Sequence, residues 1–280
     1  RVLKRLRMKL FIDSADIDEI KDALELGVLD GVTTNPSLIK KAVTKHTDID
    51  PNLEMDRYVR HMLEACKGKP VSLEVIGTTY EEMIQEGELL YKKYNRVAKN
   101  VYVKIPVNPC MKEGCEHFSD GIRAISYLSK KGIPVNATLI FTPEQALLAA
   151  KAGARFVSPF MGRIDDHIRA SHNMKFDKED YFPKEGISKG TKILDDNGIV
   201  SGVDLIEKCV QIIKHAGLSC EVLAASIRNP RQFREAGEVG GHIATVPYSV
   251  IKTLVDHPLT IAGMKGFVKD IVPEYADILN

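Results

Sequence analysis

The feature of this sequence that most limits its fold is an alternation of short β-branched runs with longer segments of helical apolar spacing. The predicted strands are residues 9–12, 31–34, 71–75, 101–107, 135–141, 156–161, 221–226 and 243–247. Strands that alternate with helices form parallel sheets, and eight such strands can close into a barrel. An open, doubly wound sheet would need a glycine-rich phosphate turn after its first strand, and Asp13-Ser14-Ala15-Asp16 is not one. The sequence therefore predicts the α/β class and a (β/α)8 TIM barrel.

Several segments lie outside this alternation. Residues 1–8 are predicted to be a basic tail, to which we assign no function, and residues 9–280 to form a single barrel domain. Residues 44–52 and 109–118 look like insertions, and residues 162–198 form the longest irregular region. A helical segment from Leu259 onward follows the eighth strand, and the sequence leaves open whether it covers its own barrel or crosses to another subunit.

Composition excludes several classes of function. The net charge of +1 and the absence of Trp give no case for nucleic acid as a partner, and no apolar run is long enough for a bilayer. The basic tail lacks the apolar core of a signal peptide, so we expect a cytoplasmic protein rather than a secreted or membrane-bound one.

The cysteines point to the same compartment. Five cysteines at irregular positions are typical of reduced thiols in the cytosol. The spacing of Cys110, Cys115 and His117 suggests a metal clip, but it lacks a second ligand pair. We therefore predict reduced thiols on a surface loop, and no metal.

The predicted fourth strand, residues 101–107, contains a lysine at its centre. Val101, Val103 and Ile105 share one face, and Lys104 lies on the other. A charged lysine in so apolar a strand is unfavourable unless it is paired. Lys104 is either a desolvated nucleophile for carbonyl carbons or an edge lysine that extends to water.

Seven consecutive predicted strands each place a polar side chain near the carboxyl end. These residues are Asp13, Asn35, Glu74, Lys104, Asn136, Thr138, Ser158, Ser226 and Arg228. In a barrel the carboxyl ends of the strands face the same mouth, where active sites lie. So many polar residues at one height are not typical of a core.

The residue types fit imine chemistry on a phosphorylated sugar. A lysine amine attacks a ketone and forms a Schiff base, and a carboxylate such as Asp13 accepts the hydroxyl proton during carbon–carbon cleavage. Glu74 and Thr138 suit a water that carries protons, although Glu74 could instead pair with Lys104 and keep it charged. The donors for a phosphate monoester are Arg163, Ser226 and Arg228.

Seven ordered segments resemble those of transaldolases. They are Phe-Ile-Asp-Ser-Ala-Asp (11–16), Gly-Val-Thr-Thr-Asn-Pro-Ser (31–37), Val-Ser-Leu-Glu-Val (71–75), Val-Lys-Ile-Pro (103–106), Asn-Ala-Thr-Leu-Ile-Phe (136–141), Ser-Pro-Phe-Met-Gly-Arg-Ile-Asp (158–165) and Ala-Ala-Ser-Ile-Arg-Asn (224–229). The resemblance implies a cofactor-free enzyme of the pentose phosphate pathway. It would transfer a dihydroxyacetone unit from sedoheptulose 7-phosphate to glyceraldehyde 3-phosphate.

The resemblance also implies roles for individual residues. Lys104 takes the place of the Schiff-base lysine and Asp13 that of the acid/base, while Glu74 and Thr138 hold the water. Contacts with the dihydroxyacetone unit are implied for Asn35, Asn136 and Ser158, and contacts with phosphate for Arg163, Ser226 and Arg228. Phe160 is also predicted to be a substrate-binding residue. Asn108 stands where the family usually has a threonine. We expect phosphorylated sugars as substrates and a homo-oligomer.

Two alternatives remain at this point. The related fructose 6-phosphate aldolases release free dihydroxyacetone and are known for glutamine at the position of Glu74 and tyrosine at that of Phe160, so both residues favour the transaldolase branch. A more distant alternative is a phosphosugar isomerase or a non-catalytic binding barrel. Neither needs a lysine at the position of Lys104. An isomerase should therefore tolerate Lys104→Arg, whereas a Schiff-base enzyme should not.

Overall fold

Eight parallel strands close into a barrel, as predicted. The structure, a computed structural model, describes residues 8–47 and 54–278. The strands are β1 (Lys9–Asp13), β2 (Gly31–Thr33), β3 (Val71–Glu74), β4 (Val101–Pro106), β5 (Val135–Ile140), β6 (Phe156–Pro159), β7 (Ser188–Lys189), β8 (Lys192–Ile193), β9 (Glu221–Ala224) and β10 (Ile243–Val246). The barrel runs from β1 through β6 to β9 and β10, which pairs back with β1, while β7 and β8 form a separate hairpin.

Helices surround the barrel. They are α1 (Ile17–Glu25), α2 (Pro36–Thr47), α3 (Met55–Ala65), α4 (Tyr80–Ala98), α5 (Asp120–Lys130), α6 (Pro143–Lys151), α7 (Met161–Ser171), α8 (Gly202–His215), α9 (Pro230–Glu238), α10 (Tyr248–Thr253), α11 (Pro258–Lys269) and α12 (Pro273–Asp277). Side chains cap several of their first turns. Thr79 and Glu82 form a reciprocal capping box at α4, and Asn35 Oδ1 accepts the Leu38 N–H at the start of α2.

Aromatic rings fill the barrel interior below the polar layer. Phe156 stacks on Tyr102 at 4.7 Å and meets Phe11 edge-to-face at 6.0 Å. Gly31 is required beside them, because a Cβ there would lie 2.4 Å from the Phe11 ring. These apolar side chains fill the lower part of the barrel, beneath the polar residues at the carboxyl ends of the strands.

Two expectations about the irregular regions need correction. The region 162–198 is not irregular throughout, since α7 occupies its start and β7 and β8 form a hairpin near its end. Cys110 and Cys115 are joined by a disulfide instead of being reduced thiols, while Cys66, Cys209 and Cys220 are free and buried. The sequence left the place of the terminal segment open. In the structure this segment does not cover its own barrel, because α11 buries none of its side chains within the described chain.

Other segments fall partly outside the described residues. Residues 1–7 of the predicted tail and residues 48–53 of the insertion between α2 and α3 are among them. Met8, the last residue assigned to the tail, packs against the core. No helix in residues 8–47 and 54–278 is long and apolar enough to cross a membrane.

Candidate active site

A cavity of about 110 Å³ opens at the carboxyl ends of the barrel strands. Its lining is mostly polar and comes from strands and loops around the whole barrel. The lining residues are Asp13, Thr33, Asn35, Lys104, Thr138, Ser158, Phe160, Arg163, Leu223, Ala225, Ser226 and Thr245. Eight of the predicted site residues therefore line one cavity, as the convergence of their strands predicted.

Lys104 lies at the side of this cavity. Its side chain is almost fully buried and makes two polar contacts. Its Nζ donates to the Thr34 carbonyl oxygen at 2.9 Å and lies 3.1 Å from Glu74 Oε2. Glu74 and Lys104 are direct register partners on β3 and β4, so the sheet itself sets this pair. The alternative in which Glu74 pairs with Lys104 is the arrangement observed. An ammonium must lose a proton before its amine can attack a carbonyl carbon, and Glu74 Oε2 lies within reach of Lys104 Nζ.

Asp13 ends β1 and faces the same cavity. Its Oδ1 accepts the Thr33 hydroxyl at 2.7 Å, and Thr33 Oγ1 is also 2.6 Å from Thr245 Oγ1. Burial raises the pKa of the Asp13 carboxyl above its ordinary value, while Lys104, the Thr33 hydrogen bond and Arg163 each act to lower it. A carboxyl with a raised pKa is suited to taking up and returning a proton.

Thr138 is buried, and its Oγ1 has no hydrogen-bond partner among the described residues. An orphaned buried hydroxyl is uncommon, and here it lines the cavity. The strand is irregular at this point, with a register shift between Ala137 and Ile140 and a left-handed φ of 58° at Leu139. Such bulges re-aim side chains beside active sites. The Thr138 hydroxyl is therefore available to a ligand.

Asn136 lies behind the cavity wall instead of on it. It is fully buried, its Nδ2 donates to Ser72 Oγ at 3.1 Å, and its Oδ1 accepts the Ser158 hydroxyl at 2.6 Å. Ser158 does line the cavity. The chain of three hydrogen-bonded side chains thus orients Ser158, and the carboxamide of Asn136 is already engaged on both ends.

The predicted phosphate ligands lie on the β6 and β9 side. Arg163, on α7, lies with its Cζ 5.0 Å from the centre of the Phe160 ring, and within the described chain it forms no ion pair. Ser226 has a left-handed φ of 59°, and its carbonyl accepts the Gly162 N–H. Arg228 does not line this inner cavity but a second one of about 710 Å³, which Arg163 also lines. Arg163 therefore stands between the two cavities.

Sequence reasoning missed three residues that shape the site. Thr33 and Thr245 line the cavity, Thr33 donates to Asp13 and contacts the Thr245 hydroxyl, and Asp166 binds Arg228. Thr245 carries a signal that could have been used, since it is a polar residue within the apolar eighth strand. Nothing in the local sequence marks Asp166, because its partner is 62 residues away.

Asp16, Asp18 and His46 place ligand atoms within 4.8 Å of one another, outside the cavity. Lys45 Nζ lies 2.6 Å from Asp16 Oδ2, and His46 Nε2 lies 3.1 Å from Asp16 Oδ1. A cationic side chain therefore neutralises Asp16, and this cluster is an ion-pair network that ties α2 to the start of α1.

Comparison with known proteins agrees with the geometry. The family model described as transaldolase/fructose-6-phosphate aldolase matches residues 10–276. A probable transaldolase of Chlorobium phaeobacteroides is 43% identical over 94% of this chain and 96% of its own. Probable transaldolases of Sulfurihydrogenibium sp. and Desulfatibacillum aliphaticivorans are each 41% identical, over 95% and 94% of this chain and 99% and 97% of their own.

Proposed function

Because the chain belongs to the transaldolase/fructose-6-phosphate aldolase family, we propose that it is a transaldolase that works through a Schiff base on Lys104. It transfers a dihydroxyacetone unit from sedoheptulose 7-phosphate to glyceraldehyde 3-phosphate, in the cytoplasmic pentose phosphate pathway. The observation that carries the proposal is the position of Lys104: it is 6% exposed and lines a polar cavity at the carboxyl ends of the barrel strands.

The first step forms the imine. Glu74 takes a proton from the Lys104 ammonium, and the free amine attacks C2 of the ketose to give a carbinolamine. Loss of water from C2, with a proton supplied from Glu74, leaves the protonated Schiff base. The orphaned hydroxyl of Thr138 supports a place for the departing water close to the lysine.

The second step breaks the bond between C3 and C4. Asp13 accepts the proton of the C4 hydroxyl, the C4 oxygen forms a carbonyl, and the electron pair of the broken bond moves into the iminium to give an enamine. The first product, erythrose 4-phosphate, then leaves. The raised pKa of Asp13 supports this role, because the protonated carboxyl can return its proton in the reverse direction.

The third step is transfer. The enamine carbon attacks the aldehyde of glyceraldehyde 3-phosphate, protonated Asp13 gives its proton to the aldehyde oxygen to form the new hydroxyl, and hydrolysis of the imine releases fructose 6-phosphate and free Lys104. Ser158 and Asn35 line the cavity and are proposed to bind the hydroxyls of the three-carbon unit, with Asn136 orienting Ser158. Arg163, Ser226 and Arg228 are proposed to bind the substrate phosphate.

The second candidate is a fructose 6-phosphate aldolase, which shares the imine but releases dihydroxyacetone to water. Glu74, paired with Lys104, and Phe160, whose ring lies under Arg163, favour transfer. Phe160 lacks the hydroxyl with which a tyrosine at that position could help to hold the water that hydrolyses the imine, so release of free dihydroxyacetone is less favoured.

Borohydride trapping tests the proposal. The protein is incubated with fructose 6-phosphate, reduced, digested and analysed by peptide mass spectrometry, with Lys104→Arg as the control. We expect the adduct on Lys104 in the wild type and on no peptide of the variant. Product analysis with and without erythrose 4-phosphate then separates the candidates: sedoheptulose 7-phosphate marks transfer, and free dihydroxyacetone marks cleavage. A folded wild type without the adduct would overturn the imine mechanism.

A further inference from the structure

Arg228 is held by a carboxylate that the proposed reaction does not use. Its Nη1 donates to Asp166 Oδ1 at 2.7 Å and its Nη2 to Asp166 Oδ2 at 2.5 Å. This is the bidentate geometry in which an arginine and a carboxylate interact most strongly. The two side chains are 17% and 22% exposed, so water weakens the pair only in part.

Three further contacts fix Arg228 in place. Its Nη1 also donates to the Lys178 carbonyl oxygen at 3.0 Å, and its backbone N–H donates to the Gln232 side chain at 2.8 Å. The guanidinium also lies against the Gly162 backbone, where an added Cβ would be 2.8 Å from Nε. In the described part of the chain, Nε–H and one N–H of Nη2 are left without an acceptor. These two donors can meet an external anion without any rearrangement of the side chain.

The surroundings of Arg228 suit a phosphate group. Arg228, Asp166 and Lys178 line the outer cavity together with Arg163, which also lines the inner cavity that holds Lys104. A ketose bound to Lys104 can extend its phosphate past Arg163 towards Arg228. The negative charge of Asp166 repels an anion. Any favourable effect of Asp166 on phosphate binding must therefore come from its contact with the Arg228 side chain.

We propose that Asp166 is a positioning residue: it holds the Arg228 guanidinium in the orientation that receives the substrate phosphate, and so sets the preference for phosphorylated donors. The inference rests on the function proposed above. An arginine that is ordered before binding does not lose its side-chain freedom when the phosphate arrives. Without Asp166, Arg228 keeps its charge but has to be ordered by the substrate itself.

The test compares two variants that remove one negative charge from the same cavity. Asp166→Asn releases Arg228, whereas Asp196→Asn leaves it bound, since Asp196 lines the outer cavity and its ion-pair partner is His167. We expect Asp166→Asn to raise the half-saturating concentration of fructose 6-phosphate for borohydride trapping on Lys104 by roughly tenfold, the ordering of one long side chain. Asp196→Asn should leave it within about twofold.

A donor without phosphate separates positioning from general damage. With dihydroxyacetone as the trapping ligand, both variants should match the wild type, because Arg228 has no phosphate to bind. Combining Asp166→Asn with Arg228→Met should give no further loss beyond Arg228→Met alone, since Asp166 acts only through that side chain. If Asp166→Asn does not fold, Asp166→Ser replaces it, because it also removes the carboxylate that holds Arg228 and leaves the arginine unchanged.

The outcomes distinguish this inference from the proposed function. No adduct on wild-type Lys104 with either ligand would overturn the imine mechanism and the inference with it. An adduct in the wild type with equal half-saturation in Asp166→Asn would overturn the inference alone. An equal rise for both ligands, or the same rise in Asp196→Asn, would also overturn it, since Asp166 would then be a structural or purely electrostatic residue.

Discussion

The Nζ of Lys104 lies 3.1 Å from Oε2 of Glu74, and the two residues are register partners on neighbouring strands. The barrel therefore builds the pair into its sheet, where neither side chain has to be carried by a loop. A second lysine–carboxylate pair, Lys9 with Glu221 at 2.7 Å, lies at the first residues of β1 and β9, towards the amino ends. The two pairs are chemically alike but lie at opposite ends of the barrel.

The first prediction compares these two lysine–glutamate pairs. Glu74→Gln keeps a hydrogen-bond acceptor beside Lys104 but removes the proton acceptor, so imine formation should slow by about a hundredfold. Glu221→Gln makes the same substitution in the other pair and should leave the rate within about twofold. The rate of borohydride trapping with fructose 6-phosphate measures both variants. Equal rates for Glu74→Gln and the wild type would show that Glu74 does not move the proton.

The second prediction concerns the pH dependence set by Asp13. Burial raises the pKa of Asp13, and the Thr33 hydrogen bond lowers it by stabilising the ionised carboxylate. Thr33→Val removes that bond, so the pKa should rise further and the acid limb of kcat/KM should move to higher pH. On that limb activity should fall roughly tenfold, the value of one hydrogen bond to a charged group.

Thr33→Ser is the matched control for this prediction, because it keeps the hydroxyl that Asp13 accepts. Its pH profile should coincide with that of the wild type. An acid limb that stays in place in Thr33→Val would mean that the ionisation of another group controls it.

The third prediction concerns stability and Asp165. Its Oδ1 accepts the Gly202 N–H at 2.6 Å, and burial raises its pKa to about 7, from an ordinary value of 3.8. Between these two values the unfolded chain is ionised while the folded protein keeps the proton, so stability falls as pH rises from about 4 to about 7. Over that range Asp165 lowers the free energy of unfolding by about 4 kcal/mol.

Asp165→Asn cannot ionise and lacks this contribution. The difference in unfolding free energy between variant and wild type, measured by urea denaturation at several pH values, should therefore shift in favour of the variant as pH rises to 7. Taking the difference cancels the other titrating groups. Parallel curves for the two proteins would show that Asp165 titrates alike in the folded and unfolded chains.

The barrel was predictable because strands and helices have different apolar periods in the sequence. Each of the eight barrel strands shows a strand pattern that can be told apart from the helices around it. Helix α7 was missed for a physical reason. Asp165 and Arg169 are buried on it, satisfied by the Gly202 N–H and by the Asp180 and Tyr181 carbonyl oxygens. Met161, Ile164 and Ile168 do form an apolar stripe on this helix, but the two charged residues buried beside them interrupt the pattern in the sequence. The disulfide was missed because cysteine count indicates a compartment, not the proximity of Cys110 and Cys115.

The candidate site was predictable to the extent that the strands bring its residues to one height. The sequence does not show which of these side chains form hydrogen bonds or ion pairs with one another. Asn136 is engaged by Ser72 and Ser158, and Arg228 by Asp166, over separations of 22 to 64 residues. The left-handed conformations of Leu139 and Ser226 are likewise imposed by the closed barrel, since neither residue type favours them.

The last prediction concerns the expected homo-oligomer. Exposed apolar side chains concentrate in the C-terminal segment, where Leu259 is 74% and Phe267 is 73% exposed, and Ile261, Met264 and Val268 recur at helical spacing on α11. Monomers rarely expose apolar surface of this extent, so we expect a second copy of the chain to cover it.

Replacing Met264 and Phe267 together by glutamate should yield a smaller species in light scattering with size-exclusion chromatography. Leu148→Glu, a change at an isolated exposed leucine on α6, should leave the mass unchanged. A wild-type protein that runs as a monomer would contradict the prediction, and so would an oligomer that both variants retain.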